Sequence, residues 1–271
     1  MQEGLHIILK SDVLGTVFGV PITNSMLMSW IVVITLAVLG YLVGSRLQKI
    51  PGKLQTVFES AFSFFIDYLE DVLESRTLAF RFFPLIATLF MFILLGNWLE
   101  LVPGIDSIRY TPPAAQVATA QHPLDVITTG GNHVAETPED NSVALFRTMT
   151  TDLNVTLALA IIAFVIIEIV GLRYLGVRKH LGKFFNFHSV MGFFVGLIEF
   201  VSELVRLISF SFRLFGNMFA GEALILVAMF FVPLILPVPV MLYEVFVGFI
   251  QAAIFSLLTL FFIKLAMSEA H

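Results

Sequence analysis

The sequence predicts an all-α, polytopic membrane protein with about five long hydrophobic helices, and three observations predict it. Of its 271 residues, 58% are hydrophobic and 13% are charged, against about 45–50% and about 25% in a soluble domain. The apolar residues arrive in unbroken runs, as bilayer-spanning helices require. Ionisable residues then gather inside one late apolar run, where a charge in hydrocarbon is costly. This combination excludes a water-soluble enzyme, a nucleic-acid binder and a disordered tail. A net charge of −5 is too small to point to a polyanionic partner. With 0 cysteines, the chain has no disulfide, no iron–sulfur cluster and no thiol nucleophile.

The elements follow in order. Residues 1–24 read as a polar segment outside the membrane, because Glu3, Lys10 and Asp12 deny it the continuous apolar centre of a signal peptide. A single membrane domain is expected over residues 25–267. Its first span is 25–44, uncharged until Arg46 and long enough to cross a hydrocarbon core of about 30 Å. Residues 53–75 carry Phe58, Phe62, Phe65 and Leu69 at helical spacing, with Asp67, Glu70, Asp71 and Glu74 crowded at the end. That pattern predicts an amphipathic helix on the membrane surface or against a partner. The second span is 82–102, closed by Pro103 and Gly104. Residues 103–150, rich in Pro, Gly and acids, form an insert outside the bilayer. The third span is 152–172, with Asp152 placed to cap its N-terminus. The fourth, 189–231, is long and holds scattered charges; prolines 233, 237 and 239 separate it from a last helix at 241–267.

Basic residues set the orientation. Arg46, Lys49, Lys53, Arg76 and Arg81 follow the first span, and Arg173, Arg178, Lys179, His180 and Lys183 follow the third. The insert holds only Arg109 and Arg147. The N-terminus and insert therefore face out and the C-terminus faces in, which agrees with an odd number of spans.

The chemistry lies in the fourth run. At about 100° per residue, Glu199, Ser202, Glu203, Arg206, Ser209, Arg213 and Asn217 fall on one third of the helix circumference. The stripe rises about 27 Å, nearly the depth of the bilayer core. Glu199, Glu203 and Arg206 are spaced to neutralise one another as a structural network, or to line a wet path. Arg213 differs, because Ser209, Gly216 and Asn217 occupy its i−4, i+3 and i+4 positions and none is an acid. It must meet an anion on another helix, another subunit or water. Glu244, Gly248 and Gln251 share one face of the last helix, and Glu222 stands near the same end as Glu244. Glu222, Glu244, Asn217 and Gln251 can line a path from outside to Arg213, and Glu199, Ser202 and Glu203 a second from inside.

The run Arg213-Leu214-Phe215-Gly216-Asn217-Met218-Phe219-Ala220-Gly221-Glu222 closely resembles the RLFGNxxAGE signature of subunit a of F-type ATP synthases. The stretches 84–103, 152–157 and 250–255 are similar to that family too, in the same order and spacing over roughly residues 25–267. The resemblance implies a non-catalytic, proton-translocating stator subunit without cofactor or metal, in a bacterial cell (inner) membrane. Its implied partners are the c-ring, b-type peripheral stalk subunits, the other ATP synthase subunits and the lipid bilayer. It makes Arg213 the arginine that faces the ring carboxylates. Asn217, Glu222 and Gln251 then match the outer half-channel, and Glu199 and Ser202 the inner one. It also implies that the last two segments form a tilted hairpin around the ring.

This chain departs from the family pattern at Glu244, where some relatives carry histidine, and in its longer insert. Proton is the default ion, since selectivity against sodium rests mainly on the ring. Two rivals are weighed at this level: a secondary transporter, which should show repeats and helices broken near mid-span, neither of which the sequence shows, and a structural scaffold whose buried charges merely pair.

Overall fold

The computed structural model describes residues 11–17, 19–45, 52–102, 104–105, 108–110, 143–184, 190–233 and 235–268. Most of the expected insert, residues 111–142, and the basic positions 46 and 49 lie outside this set.

Helices dominate, as the composition requires. They are α1 (Asn24–Ser45), α2 (Lys53–Leu73), α3 (Arg76–Glu100), α4 (Leu153–Leu175), α5 (Val177–Phe184), α6 (Val190–Phe231) and α7 (Pro237–Met267). Five of them, α1, α3, α4, α6 and α7, are long and apolar enough to cross a membrane. Two antiparallel ribbons stand outside these helices: β1 (Val13–Val17) with β2 (Val20–Thr23), and β3 (Arg109–Tyr110) with β4 (Val143–Ala144).

Local chemistry explains the boundaries. Ser75 caps α3 by accepting from the Leu78 N–H at 3.5 Å, so this helix starts six residues before the apolar run at 82. Asp152 caps α4 by accepting from the Asn154 N–H at 2.9 Å. Gly176 ends α4 with φ 79°, a left-handed value that glycine adopts without a Cβ clash. The last helix starts at Pro237, earlier than the proline cluster suggests, because a proline in the first turn gives up only an N–H that has no partner there.

Two apolar clusters hold the helices together. One joins Phe90 and Ile93 of α3, Ala160 and Ala163 of α4, Phe210, Leu214 and Met218 of α6, and Phe255 of α7. The other joins Leu69 and Leu73 of α2 to Ala79 and Ile86 of α3, Ile167 of α4 and Ile263 of α7. So α2 lays one face on α3, while Phe64 on its other side is exposed. Within a bilayer these contacts act through van der Waals packing, because lipid tails are as apolar as the side chains they would replace.

Polar contacts mark the two ends of the bundle. At one end Asp152 accepts from the hydroxyls of Ser11 at 2.7 Å and Ser25 at 2.6 Å, tying the β-ribbon and α1 to α4. At the other, Lys264 donates to Glu74 at 2.7 Å and Arg81 to Tyr174 at 3.2 Å. Helix α6 has 42 residues, about 63 Å at about 1.5 Å per residue. That is roughly twice the hydrocarbon thickness, so α6 cannot stand upright within a bilayer core.

Candidate functional site

Burial along α6 decides where its polar stripe points. Phe210, Leu214 and Met218, spaced by four, are 3%, 1% and 1% exposed and face the bundle. Arg213 and Asn217, offset from them by one residue, are exposed, as are Ser202 and Ser209. A groove of about 570 Å³ follows this face. Ser202, Arg206, Ser209 and Arg213 line it, with Leu258 and Phe262 of α7 forming the far wall. Among the described residues no acid lies within salt-bridge distance of Arg213, and neither Asn217 nor Gln251 has a hydrogen-bond partner. The Arg213 guanidinium therefore sits on an outward face with no acid partner among the described residues.

Arg206 is held differently. Its guanidinium donates to Glu203 at 3.0 Å and lies over the Phe262 ring at 4.0 Å. Glu203 also lies within electrostatic reach of Glu199 and of Glu168 on α4. Both partners of the ion pair are only partly exposed, so water screens it weakly.

Toward the Asp152 end, Glu244 is 3% exposed and its Oε2 accepts no hydrogen bond among the described residues. It presses on the α6 backbone at Gly221, where any Cβ would overlap the carboxylate. The next residue, Glu222, is half-buried and meets Arg147 at 3.6 Å. Gln251 is buried on α7, one face with Glu244 and Gly248. Asn97 of α3 supports this corner: its amide donates to the Gly248 carbonyl at 3.3 Å and accepts from Thr150 at 2.8 Å. Trp98 donates to the Val245 carbonyl at 3.0 Å. Asp152 stands nearby outside the span. Burial acts to raise its carboxyl, but the hydrogen bonds from Ser25, Ser11 and Asn154 outweigh burial and hold it below the usual carboxylate range.

The structure thus brings Glu222 and Glu244 to one α6–α7 corner, and Glu199, Ser202, Glu203 and Arg206 to one stretch of α6. Asn217 stands on the exposed face with Arg213, whereas Gln251 is buried. Sequence reasoning missed Arg147, Glu168 and His180. Glu168 had a signal, since an acid inside an apolar span suggests function. Arg147 had only its place as one of two arginines in an acidic insert. Among the described residues no group of three or more His, Asp or Glu is arranged to hold a metal ion.

A helical bundle with five candidate membrane spans defines a class: polytopic integral membrane proteins. Comparison with known proteins narrows it. A family model described as ATP synthase A chain matches residues 26–264. The chain is 31% identical over 246 residues to ATP synthase subunit a of Moorella thermoacetica, covering 90% of each chain. It is 30% identical to ATP synthase subunit a 2 of Syntrophotalea carbinolica, covering 90% of this chain and 85% of the relative. With ATP synthase subunit a of Citrifermentans bemidjiense it shares 31% identity over 251 residues, 92% of this chain and 89% of the relative. The chain belongs to the ATP synthase A chain family.

Proposed function

We propose that this protein is the stator subunit a of an F-type ATP synthase. It forms two offset half-channels that carry protons to and from carboxylates of a rotating c-ring. The observation that carries this reading is Arg213, exposed along a groove and without an acid among the described residues of its own chain. A permanent cation in a membrane needs an anion nearby. A ring carboxylate supplies one.

The cycle follows from solvation. A carboxylate facing lipid must be neutral, because a naked anion in hydrocarbon is too costly. When it turns into the groove it meets Arg213. At about 4 Å and an effective dielectric near 20, such a pair gains about 4 kcal/mol, enough to favour ionisation. The proton leaves along one path as the next arrives along the other. Glu222, Glu244, Asn217 and Gln251 line the outer path, and Glu199, Ser202 and Glu203 the inner one. Each charge crossing 100 mV releases about 2.3 kcal/mol, and ring rotation captures it. This chain makes and breaks no covalent bond; ATP chemistry belongs to other subunits. The b-type stalk subunits hold it against the ring's torque. Basic-residue placement puts the N-terminus outside and the C-terminus in the cytoplasm.

Arg213 acts as a gate as well as an attractor. Its charge repels a proton hopping directly between the half-channels. Removing it abolishes coupled synthesis and leaves, or opens, a passive leak. Lys at 213 rescues poorly, because it lacks the planar fork and deprotonates when desolvated. The test is proton flux in vesicles holding the Arg213→Ala complex, with and without a reagent that blocks the ring carboxylate. A leak that disappears on blocking supports the gate; coupled synthesis surviving in Arg213→Ala defeats the assignment. The scaffold rival predicts instead that Arg213→Ala fails to assemble.

A further inference from the structure

A second titratable cluster lies at the other end of the bundle, outside the residues assigned above. His180 of α5 meets Glu168 of α4 with Nε2 and Oε2 2.7 Å apart. The His180 side chain is 5% exposed and that of Glu168 is 21% exposed. The imidazole fits because position 171 is glycine: a Cβ there would lie 2.6 Å from Cε1 and 2.9 Å from Nδ1. Glu168 is also within electrostatic reach of Glu203, a member of the inner path on α6. A contact that only pinned a short helix would not need two ionisable groups, since apolar packing does that at less desolvation cost.

We propose that the Glu168–His180 pair is the cytoplasmic terminus of the inner half-channel, exchanging protons between Glu203 and water. This rests on the half-channel reading above. The pair takes one proton from Glu203, passing from net charge −1 (carboxylate, neutral imidazole) to 0 (carboxylate, imidazolium). It then gives one proton to water at the partly exposed Glu168 and returns to −1. Imidazole suits the task because, among side chains, it changes charge between about pH 5 and 8.

The groups that bear on the pair can be named. They are Glu203 on α6, with Glu199 and Arg206 acting through it, and Arg173 in the last turn of α4. On α5 itself the described basic side chain is Lys179. From α7, Ala266 packs near the Gly171–His180 contact, while Lys264 is engaged by Glu74.

The test uses the whole complex in inverted membrane vesicles stripped of its catalytic head. Passive proton flux is driven by a fixed potential while the pH on the cytoplasmic side is varied. Wild-type flux should change as that pH is varied. His180→Gln keeps an amide that can bond Glu168 but cannot carry the proton. It should lower flux by about tenfold or more and flatten the response. Glu168→Gln should do the same while leaving His180 a hydrogen-bond partner. Wild-type flux and pH response in an assembled His180→Gln complex overturn the proposal. If neither variant assembles, a flat cytoplasmic pH response of the wild type overturns it equally. Glu203→Gln separates the two levels of inference: slow flux there with normal flux in His180→Gln removes only the terminus, and normal flux in both removes the inner half-channel as well.

Discussion

Arg206 and Arg213 are two turns apart on one helix, yet their surroundings give them different work. Arg206 has an ion pair to Glu203 and the face of Phe262, contacts worth about 1 kcal/mol each. Arg213 has neither. Arg206→Ala should therefore lower ATP-driven proton pumping several-fold, whereas Arg213→Ala should abolish it. Complete loss of pumping in a normally assembled Arg206→Ala complex would reverse that ranking. At the opposite corner, Glu222 stands beside Arg147 and Glu244 beside Gly221. Glu222→Gln and Glu244→Gln should each slow proton-driven ATP synthesis, and the double change should slow it further. Arg147→Gln should act in the same direction by leaving Glu222 without its cation. An unchanged synthesis rate in the double variant would route the outer path elsewhere.

Helices here are placed by their ends as much as by their faces. Asp152 caps α4 and simultaneously collects the hydroxyls of Ser11 and Ser25, so one carboxylate joins three segments. Asp152→Ala should cost about 1–2 kcal/mol for the cap, more with the two hydroxyls stranded, read as a lowered thermal midpoint of the detergent-solubilised complex. The sign of the pH effect follows from its depressed titration. The unfolded carboxyl titrates near pH 3.9, and the folded one lower. The stabilisation is fully present above about pH 4 and is lost as pH falls through the folded value. Asp152→Asn should remove that acid-side slope. The α6–α7 contact depends in the same way on one missing side chain. Gly221→Ala forces the Glu244 carboxylate to move, and proton-driven synthesis should fall as it does in Glu244→Gln. Normal synthesis in Gly221→Ala would mean that Glu244 has room to relocate without loss.

On the scale of the whole molecule, the proposed topology makes a direct prediction. The chain has 0 cysteines, so a single introduced thiol reports its own side of the membrane. Tyr110→Cys, in the ribbon at the Asp152 end, should react with a membrane-impermeant maleimide from outside intact cells. Ser268→Cys, beyond the end of α7, should react only in inverted vesicles. The opposite pattern would invert the half-channels, exchanging the roles given to Glu222 and Glu203. The length of α6 matters at this scale too, because a helix about twice the hydrocarbon thickness must tilt, bend or protrude. In the proposed assembly such a helix would present a long diagonal of side chains to the ring, and the exposed residues Ser202, Ser209, Arg213 and Asn217 fit such a diagonal.

The sequence by itself determined that the protein is helical and membrane-embedded, because burial in lipid leaves a backbone few ways to satisfy its hydrogen bonds. It also determined that Arg213 has no neutralising acid on its own helix, since i±3 and i±4 spacing is local geometry. Which side of α6 faces its own bundle was not local: Leu214 and Phe210 turn inward only because α3, α4 and α7 bring complementary apolar surfaces. The partners of Glu222 and Glu168, and the close approach of Glu244 to Gly221, were equally hidden. Arg147 and Glu222 are 75 positions apart, and His180 reaches Glu168 only because Gly171 leaves room and the turn at Gly176 folds α5 back. Periodicity can say which residues share a face; only packing decides what that face meets.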